Sequence, residues 1–284
     1  MNEPPFRHVA IFGLGLIGGS LGLAVKDRWS SVRVTAIDRP HVVEAARRLG
    51  VADEGGHDLR AAAGAELLVL AAPVLQNAVA LRTLPSMLPD GLIVTDVGST
   101  KRVMAEAAGG LPARVTFIGG HPLAGAAVGG LDAARRDLFA DRPWILTGTE
   151  QVPAAAVERL TSLIVAVGAV PRDMNVEEHD RILAFVSHLP QLAVRALMHV
   201  VGCRAGADGL TLAGRGLRDT TRLASSPAAT WRDIVGTNAD NVSAAIDELI
   251  AALDQLRPVN GQTPVQLDDM FVSAAKWKGV LEHS

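Results

Sequence analysis

Residues 13–18 read Gly-Leu-Gly-Leu-Ile-Gly and stand between a β-rich apolar run, His8–Phe12, and a helical stretch, Leu16–Arg28. In that context the three glycines have separate tasks. Gly13 permits a tight turn, Gly15 lets a pyrophosphate approach the backbone, and Gly18 lets helix and strand pack closely. The first helical residues, Leu16, Ile17 and Gly18, offer free N–H groups and partial positive charge to an anion. A second apolar run, Val32–Ile37, ends at Asp38, 20 residues after Gly18. A carboxylate there can accept hydrogen bonds from both hydroxyls of an adenosine ribose. Strand, glycine turn, helix and acid in this order define a dinucleotide site. Asp38 would repel a phosphate on that ribose, so NAD is favoured; Arg39 can offset part of the repulsion, which leaves NADP as the less favoured cofactor.

The pattern that begins at this motif continues. The runs Leu67–Ala71, Leu92–Thr95, Val115–Ile118 and Trp144–Leu146 also read as buried strands, and helical stretches such as Val42–Leu49, Val74–Leu84, Lys101–Ala108 and Pro153–Val167 lie between them. Continuous apolar strands alternating with helices imply a parallel sheet covered on both faces, an α/β doubly wound fold of the Rossmann type. After about Arg172 the strand signal stops and helical periodicity takes over. The expected division is a dinucleotide-binding domain over 1–172 and an all-helical domain over 173–284, which completes the substrate site. In the latter, Val242, Ile246, Leu249, Ile250, Leu253 and Leu256 recur at helical spacing and form a stripe suited to packing on another helix, one that a second subunit can supply.

Composition narrows the function. A net charge of −3 gives no basic footprint for nucleic acid. No apolar run reaches the roughly 18–20 residues of a membrane span. One cysteine, Cys203, allows neither an internal disulfide nor a cysteine metal cage, and Met1–Arg7 lacks a signal-peptide core. A cytoplasmic protein without a metal is the expectation. The chain has no tyrosine, which excludes any mechanism that uses a phenol as its proton donor.

Three further segments carry polar groups suited to chemistry: Asp96–Lys101 and Gly120–Gly125, each after a strand, and Gly216–Arg222 in the helical half. Ligands of open α/β sheets bind at the carboxyl ends of the strands, which makes Ser99 and His121 candidates at the nicotinamide end. An imidazole suits a base that takes a hydroxyl proton as hydride leaves the same carbon. Ser99 can bond that hydroxyl, fix the imidazole, or cap the helix ahead of Lys101. Arg218 and Arg222 share a face if their segment is helical. Arg222 can then grip a carboxylate or pair with Asp219 or Asp233, and the pair of guanidinium groups points to a small anionic substrate. His188 and Gln191 share a face near a proline kink at Pro190, as pocket groups or as core residues.

Taken together, Gly13–Ser20, Asp96–Lys101, Gly120–Gly125, Glu178–Pro190 and Gly216–Trp231 resemble, in order, the prephenate and arogenate dehydrogenases of tyrosine biosynthesis. The resemblance implies NAD(P)-dependent oxidation of a ring hydroxyl, with loss of the ring carboxylate as carbon dioxide. It further implies His121 as proton acceptor, Ser99 as its partner at the hydroxyl, and Arg222 as the main carboxylate ligand. Ser226 and Trp231 would line the pocket, Arg218 occupies an often basic position, and the helical domain would form a homodimer. Two positions depart from the family pattern: Ala126-Ala127 stands where many members have a polar residue and glutamate, and Gln191 where histidine is common. Prephenate is the favoured substrate, with arogenate or an amino analogue of prephenate as alternatives. No appended regulatory domain is expected. A hydroxyacid dehydrogenase using a lysine donor is a weaker reading, since the helical half offers only Lys276 and Lys278. A non-catalytic NAD sensor or scaffold would have no need of Ser99, His121 and Arg222 together.

Overall fold

The computed structural model describes residues 3–84, 88–126, 128–225 and 228–283. Its first half alternates β1 (His8–Phe12), α1 (Leu16–Arg28), β2 (Arg33–Ile37), α2 (Pro40–Arg48), β3 (Glu54–Gly56), β4 (Leu67–Leu70), α3 (Val74–Arg82), β5 (Leu92–Asp96), α4 (Arg102–Ala108), β6 (Val115–Pro122), β7 (Pro143–Thr147), α5 (Ala154–Ala166) and β8 (Val170–Asp173). These strands form one sheet in the order β3-β2-β1-β4-β5-β6-β7-β8. The first six are parallel and follow the doubly wound order, with a crevice where β1 meets β4.

The apolar runs are continuous because both sheet faces are covered. Val9, Ile11, Leu67 and Val69 point to one side, into a cluster with Leu21, Val25, Leu160 and Ile164. Their chain neighbours Ala10, Leu68 and Leu70 point to the other, against Val74, Leu81 and Met104. Alternate residues of one strand thus serve two cores.

Three features differ from the sequence expectation. β3 and β8 add strands that have little apolar content; β3 is recruited by backbone pairing to β2, with Thr35 opposite Glu54. β7 runs antiparallel to β6, because the described part of their connection holds only a short 3₁₀ turn, Leu131–Ala133, and no crossover helix. That antiparallel pairing also extends β6 through Gly119–Pro122, so His121 lies within the strand, opposite Ile145, and not in a loop beyond it.

The second half is helical: α6 (Val176–Leu183), α7 (Leu189–Leu210, interrupted at Gly206 with φ 64°), α8 (Arg215–Thr220), α9 (Ala228–Thr237), α10 (Ala239–Gln255) and α11 (Leu267–Glu282). Asn175 caps α6, its Oδ1 accepting from the N–H groups of Glu177 (2.9 Å) and Glu178 (3.3 Å). Between α6 and α7 the chain makes one π-helical turn, Ala184–His188. Pro190 has no N–H to give the preceding turn, and the widened backbone accommodates it while α6 and α7 continue as one rod. The stripe on α10 divides: Val242 is buried, whereas Ile250 and Leu253 are exposed. No described helix is long and apolar enough to cross a membrane.

Candidate active site

The glycine turn has the shape that a bound dinucleotide requires. At Gly13, with φ 97°, an added Cβ would lie 2.5 Å from the backbone nitrogen of Ala72, and at Gly18 it would lie 2.0 Å from the carbonyl oxygen of Gly13. Those two glycines serve the fold. Gly15 is different: nothing lies within 4 Å of its Cβ position, so the space above it is open to a ligand. Gly15 is the N-cap of α1, which leaves the N–H groups of Leu16, Ile17 and Gly18 without helical acceptors. Asp38 Oδ2 accepts from the N–H of Leu14 at 2.7 Å and Oδ1 from that of Arg39 at 2.7 Å, which fixes the carboxylate beside the turn. The Arg39 side chain is exposed, with Nε 3.6 Å from Asp38. A cleft of about 740 Å³ lined by Phe12, Leu59, Leu75 and Val79 supplies an apolar wall for a flat base. These residues fit NAD.

At the carboxyl ends of β5 and β6 a buried polar network begins. Lys101 and Asp96 form an ion pair with neither side chain exposed. Lys101 Nζ also donates to the carbonyl of Gly120 at 2.7 Å, and Asp96 Oδ1 accepts the N–H of Gly120 at 3.1 Å. The backbone just ahead of His121 is therefore held on both sides. An added Cβ at Gly120 would meet the carbonyl oxygen of Asp96 at 2.4 Å, which explains the glycine there.

His121 Nδ1 lies 2.9 Å from His179 Nε2, and His179 Nδ1 lies 2.8 Å from Asp180 Oδ1. Asp180 also accepts the N–H groups of Lys101 (2.7 Å) and Arg102 (3.0 Å) at the start of α4, so one carboxylate of the helical half ends a helix of the sheet half. Nε2 of His121 has no hydrogen bond among the described residues. Burial is the main cause that holds the His121 imidazole well below its ordinary value, with His179, Lys101 and His188 adding to it. The ring is a neutral base at neutral pH. For Asp180, burial opposes the charge, but hydrogen bonds from His179 and from the backbone of Arg102 and Lys101 outweigh it and keep the carboxyl below its usual range.

The remaining predicted residues fall into two groups. His188, Gln191 and Trp231 converge. His188 is buried and its ring is 6.2 Å edge-on from Trp231, with Nδ1 3.3 Å from the Asn238 amide nitrogen. That amide nitrogen also donates to the carbonyl of Asp180 at 2.7 Å, which links His188 to the network behind His121. Burial holds His188 at about 4, with Asp180 opposing and His179 reinforcing the shift. Gln191 donates to the carbonyl of Leu223 at 2.6 Å and ties down the turn that holds Arg222.

The others are less joined. Ser99, between Gly98 and the buried Thr100, is partly exposed and its hydroxyl has no hydrogen bond among the described residues. Arg218 and Arg222 do not share a helical face: α8 ends at Thr220 with Thr221 as its cap, and Arg222 opens a separate 3₁₀ turn, Arg222–Ser225. Both guanidinium-bearing residues are exposed. Ser226 and Ala127 lie outside the described residues. Lys276 and Lys278 are exposed on α11, Lys276 over the Trp277 ring and Lys278 paired with Glu282 at 2.9 Å.

Sequence reasoning passed over His179, Asp180, Asn238 and Lys101. The signal was present for two of them, as a His-Asp pair just inside a capped helix, but nothing local says that it meets residue 121. Among the described residues no His, Cys, Asp and Glu cluster could hold a metal ion.

Comparison with known proteins agrees with this layout. A family model described as prephenate dehydrogenase, nucleotide-binding domain, matches residues 21–172, and one described as prephenate dehydrogenase, dimerization domain, matches residues 175–269. The chain is 37% identical to a prephenate dehydrogenase of Bacillus subtilis over 255 residues, 88% of this chain and 69% of the relative. It is 33% identical to a cyclohexadienyl dehydrogenase of Zymomonas mobilis over 258 residues, 89% of this chain and 88% of the relative. A crystal structure of the prephenate dehydrogenase of A. aeolicus, in complex with hydroxyphenyl propionate and NAD+, superposes with a TM-score of 0.82 at 27% identity, covering 99% of this chain and 95% of that one. With the two family models matched in chain order over residues 21–172 and 175–269, this chain belongs to the prephenate dehydrogenase family.

Proposed function

We propose that the protein oxidises and decarboxylates prephenate with NAD, and that His121 is the proton acceptor. The observation that carries this reading is the state of that imidazole: Nδ1 is engaged by His179, Nε2 is open, and burial keeps the ring neutral. Bound NAD supplies the hydride acceptor, held by the glycine turn, the first N–H groups of α1 and Asp38. His121 Nε2 takes the proton of the ring hydroxyl as that carbon gives up its hydrogen with the electron pair. The ring carboxylate then leaves as carbon dioxide, its bonding electrons move through the ring to the oxygen, and the oxygen recovers the proton from His121. A positioned base of this kind contributes roughly 10²–10⁴-fold to the rate.

Within the same proposal, Ser99 contacts the reacting hydroxyl, Arg222 and Arg218 attract the carboxylates, and His188, Gln191, Ser226 and Trp231 wall the pocket. The tie from Gln191 to Leu223 supports this for Arg222, since it draws that turn onto α7. Arogenate, or an amino analogue, is the alternative substrate; Ala126-Ala127, where many members carry a polar residue and glutamate, offers no carboxylate to pair with its ammonium. The boundary near residue 172 and a homodimer through the helical half belong to the proposal as well. The dimer is supported by the exposure of Ile250, Leu253, Phe271, Val272 and Trp277 on α10 and α11, and by the description of the model that matches residues 175–269. A cytoplasmic location is supported by the single exposed thiol, Cys203.

The test follows nicotinamide reduction in the four pairings of NAD or NADP with prephenate or arogenate. The expected result is fastest reduction with NAD and prephenate, abolished to within a few per cent by His121→Asn. Silence in all four pairings would overturn the reading.

A further inference from the structure

We propose that His179 is a positioning residue which, backed by Asp180, fixes the tautomer of His121 and supplies the counter-charge for the proton that His121 takes. The inference rests on the reading of His121 as proton acceptor and adds two residues to that machinery.

The argument is a count of hydrogens along three side chains that are all buried. Asp180 is 0% exposed and accepts two backbone N–H bonds, from Lys101 and Arg102, in addition to the contact with His179. A carboxylate in that setting is anionic and can only accept, so His179 Nδ1 is the donor at 2.8 Å. With one proton per imidazole, His179 Nε2 then carries a lone pair. The 2.9 Å contact to His121 Nδ1 therefore has His121 as the donor. A neutral His121 with its proton on Nδ1 has its lone pair on Nε2, the nitrogen that is open. Each bond in the series fixes the next, and the series ends in a base facing the site. Reversed, with a second proton on His179, Nε2 of His121 would be a donor and unable to accept from a hydroxyl.

The same series handles the charge. When His121 Nε2 gains a proton, burial opposes the imidazolium first, and His179 if doubly protonated, the Lys101 ammonium and His188 add to the opposition. Asp180 is the anion at the end of the hydrogen-bond series, one imidazole away, while Asp96 is paired with Lys101, and no atom moves to bring Asp180 there. The logic is that of a base oriented by a third group, lengthened by one ring. The geometry also crosses the halves of the protein: His121 lies on β6, and His179 and Asp180 on α6. The base is therefore complete only when the helical half is seated on the sheet.

The experiment pairs spectroscopy with kinetics. Histidine-selective ¹⁵N NMR of the wild-type protein at pH 7.5, with His121 assigned by loss of its signals in His121→Asn, is expected to show Nδ1 protonated and Nε2 bare. Proton on Nε2 would overturn the proposal. His179→Phe keeps a flat ring in the cavity and removes the acceptor. It is expected to lower kcat about 10²-fold or more, leave KM for both substrates within about threefold, and shift the His121 signals to a mixture of tautomers. His179→Gln retains an acceptor oxygen and is expected to recover at least tenfold of that loss. An unchanged kcat in His179→Phe, or equal losses in Phe and Gln variants with the wild-type tautomer retained in both, would overturn it. The tautomer reading needs no turnover, so absence of activity in the wild-type protein would count against the proposed reaction and leave the hydrogen-bond series to be judged by NMR.

Discussion

The Asn238 amide nitrogen lies 3.3 Å from His188 Nδ1, and the other end of the same amide is occupied, its oxygen accepting from Arg102 at 2.9 Å and from Asn241 at 2.8 Å. The amide orientation is therefore fixed, and His188 Nδ1 is an acceptor. A neutral His188 must carry its proton on Nε2, a buried atom with no hydrogen-bond partner among the described residues. With His188 in the pocket wall, as proposed, that unmet donor would be completed by an acceptor on the ligand. His188→Phe is expected to raise KM for the organic substrate about 5–150-fold, equivalent to about 1–3 kcal/mol for one lost buried bond, with kcat changed much less. Steady-state kinetics decides it; a fall in kcat alone would place His188 in the chemical step instead.

If NAD lies on the glycine turn as proposed, Gly15 and Gly13 separate cofactor binding from folding. Space around the Cβ position of Gly15 is empty and its φ of −85° suits any residue, whereas Gly13 has φ 97° and a backbone atom at 2.5 Å. Gly15→Ala is expected to leave the thermal midpoint unchanged or slightly raised while KM for NAD rises about tenfold or more, because the methyl occupies the approach to the turn. Gly13→Ala is expected to lower the midpoint by several degrees even without cofactor. Thermal melts and NAD titrations of both variants make the comparison.

The Lys101–Asp96 pair is fully enclosed and holds Gly120 from both sides. Removing one partner strands the other charge away from water, so Lys101→Met is expected to destabilise the fold by about 3–5 kcal/mol. Adding Asp96→Asn should recover part of this, since an amide oxygen can still receive the Gly120 N–H. Urea unfolding of the single and double variants measures both effects.

Acid should weaken the fold before it protonates most carboxylates. Burial is the leading cause that holds His121 and His188 below their ordinary value of 6.5, His188 at about 4, and His8 is lowered by burial too. Unfolded chains bind a proton at each site near pH 6.5 while the folded protein does not, so stability is fully present above pH 6.5 and declines as pH falls towards 4. His188 alone accounts for up to about 3 kcal/mol over that window. Denaturant melts at pH 7.5, 6.0 and 5.0 are expected to show a progressive loss, smaller in His188→Gln. A flat response from 7.5 to 5.0 would mean that these rings titrate in the folded protein as they do in the unfolded chain.

What the sequence determined by itself is whatever depends on neighbours along the chain. The strand, the glycine turn, the first turn of α1 and Asp38 fall within about one βαβ unit, where periodicity, backbone freedom and hydrogen-bonding capacity act over a few residues, and each is found where those rules put it. The two-sided burial of β1, β4 and β5 was legible for the same reason. Tertiary structure alone decided the rest. β7 takes its antiparallel direction from the lack of a crossover helix, and that pairing carries His121 into β6. β3 is a strand because β2 offers a free edge, not because Glu54–Gly56 favours one. The turn at Thr221 separates Arg218 from Arg222, although their spacing fits a helix. Above all, His121 meets His179 across 58 residues of chain and Asn238 meets His188 across 50. Such contacts arise when the helical half packs on the sheet half; the free energy of that packing is shared over many side chains, so no spacing within either segment records which nitrogen will face which.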